Sequence, residues 1–248
     1  MADDRSGQII RDDSQTVHWK AICIDDLTVR LGSKELLSHA SFKASPGSIV
    51  GLVGRNGSGK STLMYAIAGL LGSSVAGVGT VCGYSLCGKR HCPCGLMVES
   101  PAFSETKSAE FNLRLIATVV HADARDTKRA LRVTGLDAYG NLPVRAYSLG
   151  MRKRLAFAQA IIGSPPVILL DEPMNGLDPE GVVMMREEMK RLARSGSIVV
   201  MSSHLLHEVE ILCDTIYMIQ NGKCAELDVE SEASGSLEEE YLHRLKSE

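Results

Sequence analysis

The residues best equipped for chemistry stand in two places. Gly54-Arg55-Asn56-Gly57-Ser58-Gly59-Lys60-Ser61 fits the pattern G-x-x-x-x-G-K-[ST] in full. Glycines let backbone N–H groups turn inward and approach an anion closely, and a following helix adds the partial positive charge of its first turn. Lys60 has the reach for β- and γ-phosphates, and the Ser61 hydroxyl suits Mg2+. Gly54, Asn56, Gly57, Ser58, Gly59, Lys60, Ser61 and Thr62 are therefore candidate nucleotide-phosphate contacts. Far along the chain, the apolar run Val167 to Leu170 ends in Asp171-Glu172-Pro173. A carboxylate at the end of a buried strand beside a phosphate loop is where a Mg2+-holding Asp belongs. Glu172, the next residue, can orient or deprotonate an attacking water. The plainer alternative is that both carboxylates are surface charges.

For these groups to meet, the chain must fold as alternating strands and helices. Ser48 to Val53 reads as a buried strand, Gly54 to Gly59 as a loop and Ser61 to Leu71 as a helix. Ahead of them, 20–31 alternates as an edge strand would, and Leu36 to Phe42 reads as a second short strand. Apolar spacing then predicts helices near Ala109–Val120, Asp126–Val133 and Leu149–Ile162, an α-helical insertion. Strand patterns return at Val167–Leu170, Ile198–Met201 and Ile216–Ile219, with a helix at about Glu180–Arg194 and an Asn221-Gly222 turn. The expectation is an α/β phosphate-loop core over 20–98 and 163–227, a mixed sheet with an N-terminal antiparallel part. A helical subdomain over 99–162, a polar extension over 1–19 and an acidic tail over 228–248 with a solvated helix at Leu237–Leu245 complete it.

Composition narrows the classes. The chain has 248 residues, 44% hydrophobic and 23% charged, with net charge −3. That fits a globular chain with a real core and argues against one held on nucleic acid by bulk charge. Four Phe, six Tyr and one Trp leave few rings to stack on bases. The polar N-terminus lacks the apolar segment of a signal peptide. The uncharged stretches Ser61 to Gly88 and Leu155 to Leu170 are interrupted by glycines or by Pro165-Pro166 and fall short of the roughly 20 apolar residues of a spanning helix. The expected chain is soluble or peripheral. Cys82, Cys87, Cys92 and Cys94, with His91, raise the question of a metal site, but their spacing matches no zinc signature, so ordinary thiols are the expectation.

Three further segments complete a resemblance. Tyr147-Ser148-Leu149-Gly150-Met151-Arg152, Asn175-Gly176-Leu177-Asp178 and His204 follow in order. With the two motifs above, 20–225 resembles the nucleotide-binding subunit of ATP-binding cassette (ABC) transporters. The three segments are similar to that family's signature, D-loop and switch histidine. The resemblance implies ATP and Mg2+ as cofactors, Glu172 and His204 as catalytic residues, and Mg2+ held through Ser61 and Asp171. It implies a second ABC cassette, the same chain or a related one, with Ser148, Gly150 and Asp178 acting in trans on the partner's ATP. It also implies a separate transmembrane permease subunit and a place at the cytoplasmic face of the plasma membrane. No nucleic-acid partner is expected. Soluble ABC ATPases, such as iron–sulfur assembly ATPases, are the alternative.

Two departures stand out. Glu99, in Leu96-Met97-Val98-Glu99-Ser100-Pro101, takes the place of the family's Q-loop Gln, where it can ligate Mg2+ or a water. Glu99 and the variant signature look like the bacitracin and lantibiotic export and immunity subgroup. Leu31 stands where the family stacks an aromatic ring on adenine. Leu offers apolar contact without a ring, so weak base discrimination is expected. Hydrolysis of ATP and GTP measured in parallel should differ by less than about tenfold, the scale of one ring stack; a strong ATP preference would count against this reading of Leu31.

Overall fold

The computed structural model describes residues 21–227 and 237–246; the expected extension over 1–19 and the tail segment 228–236 lie outside them. In chain order the elements are β1 (Ile22–Leu31), β2 (Lys34–Ala44), β3 (Ile49–Val53), α1 (Lys60–Ile67), β4 (Val75–Val81), β5 (Tyr84–Ser85) and β6 (Cys94–Met97). Then come α2 (Ala109–Val119), α3 (Ala124–Val133), α4 (Leu149–Ala160), β7 (Val167–Leu170), α5 (Pro179–Arg194) and β8 (Ile198–Ser202). α6 (Leu206–Leu212), β9 (Thr215–Gln220), β10 (Lys223–Leu227) and α7 (Leu237–Lys246) follow.

The strands form two sheets. One is antiparallel, in the order β2-β1-β4-β5; the other is mixed, in the order β10-β9-β3-β8-β7-β6. In the second sheet β9, β3, β8, β7 and β6 run parallel, and β10 returns antiparallel. Every residue of β3, β7 and β8 is buried, which explains their near-continuous apolar sequences. Alternate residues nevertheless serve different faces. Val50, Leu52, Val167, Leu169, Ile198 and Val200 pack with Leu63, Met64 and Ile67 of α1 and with Leu27 and Phe42 of the antiparallel sheet. On the opposite face, Ile168, Leu170, Val199 and Met201 join residues of α2 to α5, among them Leu113, Phe157, Met185 and Met189. Helix α1 thus lies between the two sheets.

This topology gathers the chemistry. β3, β8, β7 and β6 are neighbours, and each ends in a segment singled out above: Gly54, then His204, then Asp171 and Glu172, then Glu99. The carboxyl ends of parallel strands are where α/β sheets place ligands. Helices α2, α3 and α4 all fall between β6 and β7.

The structure departs from the sequence expectations at several elements. β1 is an inner strand, paired on both sides with β2 and β4, not an edge. β4 is hidden in the sequence by Gly77 and Gly79. A Cβ at Gly77 would lie 1.9 Å from the Asp26 carbonyl oxygen, so the glycine is there for close approach of β4 to β1. The short strands β5, β6 and β10 and helix α6 are additional. The C-terminal helix is not a solvated one: Leu237 is buried, and Tyr241 and Leu245 pack on the same core.

β6 meets α4 without clearance. A Cβ at Gly95 would sit 1.8 Å from the Ala160 carbonyl oxygen, a backbone atom that no side-chain motion relieves. Gly95→Ala should destabilise the chain by about 1–3 kcal/mol through overpacking, read as a lowered urea midpoint; an unchanged midpoint would refute the close packing.

Candidate functional site

The loop from Gly54 to Gly59 is shaped by what surrounds it. Gly54 has φ +150°, and a Cβ there would lie 2.2 Å from the Ile219 carbonyl oxygen and 2.8 Å from Ser58 Oγ. Gly59, at φ +118°, starts α1 in a left-handed conformation and offers no side chain to cap it. The first-turn N–H groups of α1 therefore have no side-chain cap competing for them. Ser58 Oγ is buried with no hydrogen-bond partner among the described residues. An orphaned hydroxyl and a positive helix end in one loop fit a phosphate group. Lys60 is buried and folds back over the loop, its Nζ donating to Gly54 O at 2.7 Å and Arg55 O at 3.3 Å. Burial pushes the Lys60 ammonium below the usual lysine range, while Glu172, Asp171 and Glu99 pull it back up.

A continuous hydrogen-bonded chain leads away from this loop. Ser61 Oγ donates to Asp171 Oδ2 at 2.6 Å. Ser202 Oγ donates to Asp171 Oδ1, also at 2.6 Å. The backbone N–H of Glu172 donates to Ser202 Oγ at 2.9 Å. Finally His204 Nδ1 lies 2.8 Å from Glu172 Oε2. With the carboxylate ionised, Nδ1–H would be the donor of that pair. Glu172 holds a left-handed backbone, φ +49°, uncommon for a residue with a side chain. The Ser61 hydroxyl and the Asp171 carboxylate are hard oxygen donors, the type Mg2+ takes while keeping most of its shell for water and phosphate. Glu99 is exposed, and its backbone carbonyl accepts from Lys153 Nζ at 2.7 Å. Asn56 and Gly57 are exposed on the loop, Thr62 is half-buried in the first turn of α1, and Leu31 ends β1 with 65% of its surface exposed.

A second group of predicted residues clusters elsewhere. Ser148 caps α4, its Oγ accepting from Met151 N. Asp178 caps α5, accepting from Gly181 N at 3.0 Å and from Arg154 Nη2 at 2.5 Å. That Arg154 guanidinium, with the Gly181 N–H, holds the Asp178 carboxyl below the usual range. Gly150 faces Gly176 and Leu177. Among the described residues, these side chains bond to α4 and α5, not to the Gly54–Ser61 loop.

Among the described residues no group of three or more His, Cys, Asp or Glu is arranged to hold a metal ion. A hydrogen bond from Cys82 draws the Cys92 thiol down, but the bond to Cys94 and burial outweigh it, and its pKa is pushed up to about 12.

Sequence reasoning missed Ser202, Lys153 and Arg154. Ser202 ends an apolar strand with nothing to mark it, and the two basic residues read as helix surface. Ser202→Ala would leave the Glu172 N–H without its acceptor and strip Asp171 of a donor. Chemical denaturation should show a loss of about 1–3 kcal/mol, with Ser202→Thr retaining most of it; equal stability of Ser202→Ala and wild type would contradict the bridging role.

Known proteins place this geometry in a family. The ABC transporter family profile matches residues 37–175. The chain is 41% identical over 206 residues to the uncharacterized ABC transporter ATP-binding protein YdbJ of Bacillus subtilis, covering 81% of this chain and 66% of that protein, about two thirds of its length. It is 33% identical over 222 residues to the lantibiotic transport ATP-binding protein SrtF of Streptococcus pyogenes, covering 90% and 96%. It is 33% identical over 205 residues to the bacitracin transport ATP-binding protein BcrA of Bacillus licheniformis, covering 81% and 67%. Among solved structures, an ATP-binding subunit of an ABC transporter superposes with TM-score 0.82 at 27% identity, covering 91% of this chain and 99% of the other. With that sequence match and that shape, this chain belongs to the ABC transporter ATP-binding family.

Proposed function

We propose that this chain hydrolyses ATP to drive export of a substrate, a peptide antibiotic or drug, through a separate transmembrane subunit. The observation that carries the proposal is the unbroken chain Ser61–Asp171–Ser202–Glu172–His204 beside the phosphate loop. The loop N–H groups and Lys60 bind the phosphates, Ser58 Oγ gains the partner it lacks, and Ser61 and Asp171, with Glu99, offer oxygens to the metal. When bound, Mg2+ neutralises charge on the β- and γ-phosphates. Glu172 accepts the proton of the attacking water. His204, on Oε2, fixes which oxygen of Glu172 stays available. Leu31 provides the apolar contact to the base.

Ser148, Gly150 and Asp178 act across an interface between two cassettes, on the ATP held by the partner. The transport names of the SrtF and BcrA relatives support a membrane partner over a soluble ATPase. No helix among the described residues is long and apolar enough to cross a membrane, which fits a motor that works peripherally, at the cytoplasmic face.

Glu172→Gln keeps the shape and removes the base. ATP hydrolysis should fall by about 10²–10⁴-fold while ATP binding survives; a variant that turns over at the wild-type rate would remove Glu172 from the mechanism. Co-purification of a membrane protein with the wild-type chain checks the transport half of the proposal.

A further inference from the structure

Lys153 lies one turn into α4, just past Ser148 and Gly150, and only 5% of its surface is exposed. A buried ammonium is costly unless opposite charge and hydrogen bonds meet it. Its Nζ donates to the Glu99 carbonyl oxygen at 2.7 Å, but a carbonyl brings no net charge. The compensating charges are Glu99, Asp171 and Glu172, all of which act on Lys153, against the burial that pushes its pKa down. The same three carboxylates act on Lys60. The same three carboxylates thus act at longer range on two buried ammonium groups, one from α1 and one from the helical insertion.

We propose that Lys153 is a positioning residue of the ATP site within its own chain: it latches the segment at Glu99 to α4 and supplies the second positive charge that offsets the metal-holding carboxylates. This rests on the ATP-site reading given above. The charge has a consequence that a packing role lacks. Without Lys153 the site gains net negative charge, and Mg2+-free ATP carries about twice the negative charge of its Mg2+ complex. Loss of Lys153 therefore penalises free ATP more than MgATP.

The test is calorimetric titration of the full chain with ATP, once in EDTA and once in Mg2+. In wild type the ratio of the two dissociation constants sets the reference. Lys153→Met should raise the ratio of the EDTA to the Mg2+ value by about three- to tenfold, and Lys153→Arg should return it to wild type. Lys153→Gln retains a donor without the charge; it should raise the ratio as well, and it stands in if Lys153→Met does not fold. A wild-type ratio in the Met and Gln variants, whatever their thermal stability, would overturn the proposal and leave Lys153 as packing. A wild-type chain that binds no ATP in Mg2+ would overturn the ATP-site reading itself.

Discussion

The Asp171 carboxylate accepts hydroxyl hydrogens from Ser61 on α1 and from Ser202 on β8, each at 2.6 Å, while its backbone N–H donates to Met97 O at the end of β6. One buried residue thereby ties together four elements, β6, β7, β8 and α1. A buried carboxylate has to be met by donors on both oxygens, and here both donors are hydroxyls anchored in regular structure. The rest of the site takes its coordinates from this point. Ser202 passes the constraint to the Glu172 N–H, which helps hold that residue in its left-handed conformation, and Glu172 passes it to His204. Ser61 passes it to the first turn of α1 and so to the phosphate loop. The sheet brings the ends of β3 and β7 near one another, and the Ser61–Asp171 bond joins loop and carboxylate across 110 residues of sequence.

Helix α4 carries this reference into the helical insertion. Successive residues of a helix point about 100° apart, so three consecutive basic residues fan out to three partners. Arg152 forms a bidentate pair with Glu105, Lys153 donates to the Glu99 carbonyl, and Arg154 pairs with Asp178 at the start of α5. The segment after β6, the approach to α2 and the start of α5 are all held by one turn of one helix. Movement of the insertion relative to the sheet would have to break or carry these contacts. The middle one is the most constrained, because Lys153 is buried and the carboxylates around it also face Lys60.

Much of this was legible in the sequence, for stated physical reasons. A strand buried on both faces writes a continuous apolar run, so β3, β7, β8 and β9 stand out. The loop from Gly54 to Ser61 is written with glycines at fixed offsets, so it stands out as well. What was hidden obeys equally physical rules that leave no local mark. β4 is written with glycines because the neighbouring backbone is close, and glycine in isolation reads as loop. β1 alternates like a half-exposed edge, yet its partners lie on both sides. The acidic helix α7 reads as solvated, but Leu237, Tyr241 and Leu245 share a face that docks on the core. Ser202, Lys153 and Arg154 matter through partners 31, 54 and 24 residues away, a relation no window on the sequence contains.

Glycines also differ in what demands them. Gly95 and Gly77 are demanded internally, since a Cβ would strike a backbone oxygen of the same chain at 1.8 and 1.9 Å. Gly150 is different. It has ordinary helical backbone, and a Cβ there would meet Gly176 O at 3.7 Å, normal contact. Alanine would fit, and glycine is the poorer helix former of the two. Among the described residues, no close contact at Gly150 demands a glycine. Its neighbour Leu149, by contrast, is 64% exposed, so a full side chain is accommodated one residue earlier. A glycine unneeded by its own fold, on the first turn of a helix, makes sense where a foreign group must come close to the backbone. On the proposed two-cassette reading, a phosphate held by the partner would be a group of that kind.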